Sequence, residues 1–197
     1  LARFNEAHDH LGHARRLFIS LKDKVHSAQV DETRSRVLLA QDRNVEAESV
    51  VRSAVHILEK GDQQALLTEA LTTHGVALAR VEQHEQARVT LERAVEVAEQ
   101  AGDLEGAGRA ALTLIEELTA RLSEGELRET YNRADQLLSR TQHSETIARL
   151  RECARRVIEV RQARAGKETT NFIYAEDETA ALLRQAQRMA MTDGSVL

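Results

Sequence analysis

The 197-residue chain has no proline and no tryptophan, aromatic residues make up 3% of it, and cysteine occurs once. Each absence excludes something. Without proline, no residue of the chain lacks a backbone N–H or carries a ring that would break a helix from within. With so few aromatics and a bulk of Ala, Leu, Val, Glu, Arg and Gln, the composition favours helix and is poor for strands, so an all-α body is expected. The lone Cys153 excludes an intramolecular disulfide. It also has no base beside it in sequence and makes a weak nucleophile. No run approaches the ~20 apolar residues of a membrane span. The opening stretch, LARFNEAHDH, lacks the apolar core of a signal peptide. The expectation is a cytoplasmic protein with no membrane partner. Excess positive charge is missing as well: 27 Lys and Arg face 32 Asp and Glu, for a formal net charge of -5. That balance argues against direct binding of nucleic acid, which needs cationic excess.

What is present is a helical hairpin with small residues at its seam. In LTTHGVALARVEQHEQARVTLERA, residues 71–94, Leu71, Gly75 and Leu78 fall at i, i+4 and i+7, one face of a helix. Ala87, Leu91 and Ala94 repeat that spacing. Between them, Val81–Gln86 is polar apart from its valine, enough for a short reversal. Gly75 and Ala87 would let the two backbones come close while the leucines fill the space beside them.

The unit recurs at a period of forty residues. Ala7, Leu11 and Ala14 are followed by Ala47, Val51 and Ala54, then Ala87, Leu91 and Ala94, then Leu127, Tyr131 and Ala134. The preceding helices keep the same step, with Ser35, Gly75 and Ile115 at the close-contact position and Leu38, Leu78 and Leu118 one turn later. A fixed period in this range, with a helix pair per unit, predicts an α-solenoid in which each unit buries its face on the next. Gly61-Asp62 and Gly102-Asp103 are placed to end one helix and cap another. Ser123 and Glu126 have capping-box spacing. One further amphipathic helix, 144–164, carries Ile147, Leu150, Ala154, Val157 and Ile158 and closes the stack.

The order Leu71, Gly75, Leu78, Ala87, Leu91, Ala94 resembles the tetratricopeptide repeat, although the commonest form of that repeat spans ~34 residues. Longer helices, as in bacterial transcriptional regulators with extended repeats of this kind, account for the longer period. The resemblance implies a right-handed α-solenoid of antiparallel helix pairs over residues 1–164. Composition then changes. Lys167–Asn171 is polar, so 165–177 is expected to be a linker. Phe172-Ile173-Tyr174, the helix-forming stretch ETAALLRQAQRMAM and the ending TDGSVL follow it. That order resembles the first elements of the AAA+ ATPase domain of sigma-54-dependent transcriptional activators. It implies that 178–197 is the first helix and strand start of that domain, truncated before its glycine-rich phosphate loop. No cofactor is then expected in this chain, and the implied partners are its own AAA+ domain and, through it, RNA polymerase sigma-54.

Eight histidines invite a metal hypothesis, and His10 with His13 has i, i+3 spacing, but no second ligand pair lies close in sequence and solvated histidines are expected. His74, on the first-helix face, is expected to be partly buried and bonded to a neighbour. Residues 149–164 hold six arginines against two glutamates without interleaved aromatics, which fits a solvated or interdomain surface better than a phosphate contact. In the tetratricopeptide fold the first helices line a concave groove. By that phase its outward positions include Arg36, Thr72, Val76, Arg80, Arg109, Leu112, Glu116, Arg149 and Arg156. Several arginines on one surface suit an acidic or carboxylate-ended peptide; equally, they can pair with glutamates of adjacent units. The expected function is a non-catalytic, sensory domain that binds a protein or peptide and controls a sigma-54 activator ATPase. The alternative is a self-association scaffold working through the solenoid ends or the helix at 178–191 as a homo-oligomer.

Overall fold

The computed structural model describes residues 2–164, so the expected linker at 165–177 and the elements at 178–197 lie outside the described residues. The chain divides into two compact units, Leu1–Arg155 and Arg156–Leu197. The first holds α1 (Ala2–Ser20), α2 (Lys24–Leu39), α3 (Asn44–Leu58), α4 (Gln64–Arg80), α5 (His84–Gln100), α6 (Leu104–Leu118) and α7 (Glu124–Leu137). An eighth helix, α8, runs from 144 to 164 and crosses the boundary between the units. No strand occurs among the described residues. Helices pack in consecutive pairs, α2 with α3, α4 with α5 and α6 with α7, and each pair packs on the next, as the forty-residue period requires of a solenoid.

The seam residues form the core. Ala47, Val51, Ala54, Ala87, Leu91, Ala94, Leu127 and Ala134 are fully buried, and so are Ser35 and Ile115 of the first helices. Tyr131 is half-buried, as are Ala7, Leu11 and Ala14 of α1, which among the described helices packs on α2. A Cβ added to Gly75 would sit 2.4 Å from Cγ of Leu91, so the glycine is the notch into which that leucine fits. Gly108 makes a second notch of this kind for Leu138, again at 2.4 Å, at a position where other copies carry Ala28 and Thr68.

Four of the turns end their helix in the same way. Asp23, Arg43, Gln83 and Asp103 donate their backbone N–H to the carbonyls of Phe18, Leu38, Leu78 and Ala98 at 2.9–3.0 Å. The residue before each donates to Ile19, Leu39, Ala79 and Glu99 at 3.0–3.1 Å. This pairing satisfies the last helical carbonyls and needs a left-handed residue, filled here by Lys22, Asp42, Glu82 and Gly102. Asp103 then caps α6, accepting from Gly106 N at 2.8 Å. Gly61 does not repeat that arrangement. It lies one residue early, because the position forty before Gly102 is Asp62, and α4 begins after Gln63 with no side-chain cap. The Ser123–Glu126 capping box forms in both directions, at 3.2 and 2.8 Å.

Gly75→Ala is expected to lower the thermal unfolding midpoint by several degrees, since overpacking a filled core costs about 1–3 kcal/mol. Gly12→Ala, where the nearest atom is the flexible Arg16 guanidinium at 3.6 Å, should raise it slightly through helix propensity. Calorimetry on the two variants checks the pair of opposite signs.

Candidate functional site

The first helices of the pairs touch one another, α2 against α4 and α4 against α6, whereas α1, α3, α5 and α7 make no backbone approach among themselves. The stack therefore curves with α2, α4 and α6 on its inner side. Outer helices are bridged by side chains: Arg93 Nη1 donates to Glu59 at 2.5 Å, and forty residues later Arg133 donates twice to Glu99 at 3.0 and 2.7 Å. These exposed pairs contribute roughly 0–1 kcal/mol each.

Inside the curve, a threonine recurs at the forty-residue step: Thr33, Thr73 and Thr113. Thr73 donates to Glu32 Oε1 at 2.7 Å, tying α4 to α2, and Thr33 donates to Glu32 Oε2 at 3.3 Å. Thr113 donates to its own helix at Arg109 O and accepts from Arg149 of α8 at 2.9 Å. Thr146 repeats the link, donating to Glu105 at 3.0 Å.

These helices enclose an open cavity of about 370 Å³. Five of the expected groove residues line it: Arg36, Thr72, Val76, Arg109 and Arg149. Arg36 is exposed, 4.0 Å from Glu32. Thr72 and Val76 are half-buried on its α4 wall, and Arg109 stands exposed with no ion-pair partner among the described residues. Arg149 is committed to Glu116 through two bonds at 2.9 and 2.7 Å, and that carboxylate raises the guanidinium pKa. Glu116 is thereby a clamp on Arg149. Arg80 lies outside the cavity and pairs with Glu117 of the next unit at 2.9 and 3.1 Å, which raises its pKa. Leu112 is not an outward residue: it is fully buried, because α8 packs over α6 there and Cys153 directs its Sγ to Leu112 O at 3.9 Å. Arg156 belongs to the second unit.

The cavity also contains acids that the arginine pattern did not point to, Glu32, Glu69 and Asp103. Glu69 was open to the same forty-residue step, being the counterpart of Arg109 and Arg149. Glu32 is 4% exposed. Burial pushes its carboxyl above the usual range, against the Thr73 bond and the Arg36 charge, with Glu69 adding to the rise.

His74 is half-buried and bonds Glu48 at 3.3 Å; burial lowers its pKa, opposed by that glutamate. His10 and His13 are exposed, and among the described residues no group of three or more His, Cys, Asp or Glu is placed to hold a metal ion. No helix among the described residues is long and apolar enough to cross a membrane.

No protein-family model and no curated protein matches the chain. Among solved structures, the chain is similar to the crystal structure of BtubC (BKLC) from P. vanneervenii, with a TM-score of 0.60 and 15% identity. The match covers 81% of this chain and 72% of that one. At that identity the likeness is one of fold.

Because Glu32 binds its proton more tightly folded than unfolded, it favours the fold fully below the unfolded glutamate pKa, and that contribution is lost as pH rises through the folded value. Glu32→Gln keeps an acceptor for Thr73 and cannot ionise. Urea unfolding should find the variant as stable as the parent at pH 4 and more stable at pH 7; a parent that gains on the variant as pH rises would refute the sign.

Proposed function

We propose that residues 1–164 are the non-catalytic, ligand-sensing part of a cytoplasmic sigma-54-dependent transcriptional activator, binding a protein or peptide in the concave cavity and controlling an ATPase that follows. The observation that carries the binding half is the cavity itself, which combines half-buried Thr72 and Val76 with the exposed charges of Arg36, Glu69 and Arg109. The link to an ATPase rests on the resemblance carried by residues 172–197. The tetratricopeptide assignment is supported by the order of small and large residues at the helix seams. Control requires the ligand to favour one placement of the repeats relative to the ATPase, since equal affinity for two placements shifts nothing.

In the full-length protein, removing residues 1–164 should change the ATPase rate at least about fivefold, the lower range of a coupling between sites. An unchanged rate together with an unchanged oligomeric state would remove this assignment. The coding sequence past Leu197 should also run into a glycine-rich phosphate loop.

A second function, self-association, is favoured by one observation: Leu17, Ile19 and Leu21, at the end of α1 and its turn, are 52%, 51% and 65% exposed. Light scattering over a concentration series should then show association that Leu21→Glu abolishes. A monomer throughout counts against it.

A further inference from the structure

We infer that the concave cavity selects an extended peptide segment with one basic and one acidic side chain two residues apart, the basic one seated on Glu69 and the acidic one on Arg109. This rests on the cavity being a peptide site and specifies what it takes. Glu69 and Arg109 occupy the same place on α4 and α6, forty residues apart, and both are exposed within the cavity. Neither has an ion-pair partner among the described residues. The remaining arginines are engaged differently. Arg149 and Arg80 are held by two-bond pairs to Glu116 and Glu117, and Arg36 faces the buried Glu32 on its own helix. The uncommitted charges on the two central helices are thus of opposite sign, and a purely acidic ligand would meet Glu69 as a like charge.

Spacing matches an extended chain. Axes of packed neighbouring helices lie about 8–10 Å apart. Side chains two residues apart on an extended chain share one face and start ~7 Å apart, and their own length covers the difference. The hydroxyls of the α4 wall select for the same conformation. Thr68 donates to Gln64 O at 3.0 Å and Thr72 to Thr68 O at 2.8 Å. Their hydrogens are spent, so they offer lone pairs alone. An extended segment has free N–H groups to give to such acceptors, whereas a helix has used its own.

Three blocked synthetic peptides of equal length and neutral filler test this by calorimetric titration: one with lysine and glutamate two residues apart, one with two glutamates, one with two lysines. The parent protein should bind the mixed peptide about tenfold more tightly than either other. Glu69→Lys should move first rank to the two-glutamate peptide and Arg109→Glu to the two-lysine peptide, with circular dichroism showing both variants folded. If parent and variants rank the peptides alike, or the parent prefers two glutamates, the inference is overturned while the cavity remains a peptide site. If none of the three binds, the inference and the peptide-site reading fall together.

Discussion

The close approach of each first helix to the next one governs this structure. A helix pair has two faces to cover and only one partner within the pair, so the other face must be buried by stacking. Stacking at short distance demands side chains that are small or mutually fitted where the helices cross. Within the pairs, Gly75 under Leu91 and Gly108 under Leu138 let the second helix sit close on the first, and the fully buried alanines Ala47, Ala54, Ala87 and Ala94 keep the second helices small at the seam. Across the α2–α4 crossing the buried Thr73 and Glu32 are fitted to each other. Once α2, α4 and α6 lie side by side and the outer helices stand apart, curvature follows, and with curvature comes a concave side. The cavity is a product of the packing that stabilises the fold.

Polar groups at those crossings are consequently drawn into the packing. Glu32 is buried yet accepts from two threonines of different helices, and Arg149 is half-buried yet holds both oxygens of Glu116 and the hydroxyl of Thr113. Satisfied in this way, such groups add direction to the contact, because a hydrogen bond fixes register where apolar surface alone would slide. The cost shows in the raised carboxyl of Glu32, whose ionised form has given up water for a limited set of donors.

Much of the fold was legible because it is written in a period. The forty-residue step located the seam alanines and leucines, and the three-residue spacing of Ser123 and Glu126 located the capping box. The site was legible in part. Periodicity says which face a residue occupies, so Arg36, Thr72, Val76, Arg109 and Arg149 were found, but not what lies across from it. Arg80 and Arg149 meet glutamates 37 and 33 residues away. Leu112 is covered by α8, which packs on a position that its counterpart Thr72 leaves open on the cavity wall. The Gly61 turn failed for a different reason. A glycine one residue out of register cannot take the left-handed place, and the chain closes that helix by another route.

The bridges between units also differ in their surroundings from one side of the curve to the other. On the inner side the ties through Thr73–Glu32 and Arg149–Glu116–Thr113 are buried or half-buried and little affected by dissolved ions, while Arg80–Glu117, between the ends of α4 and α6, is more exposed. On the outer side Arg93–Glu59 and Arg133–Glu99 are largely exposed, and mobile ions screen such pairs on the length scale of ~8 Å at physiological strength. Added salt would therefore weaken the outer ties and Arg80–Glu117 while leaving the buried inner ties intact. The first unit is built like a strip with one stiffer and one more compliant edge, whose bending responds to ionic conditions without any change in its core.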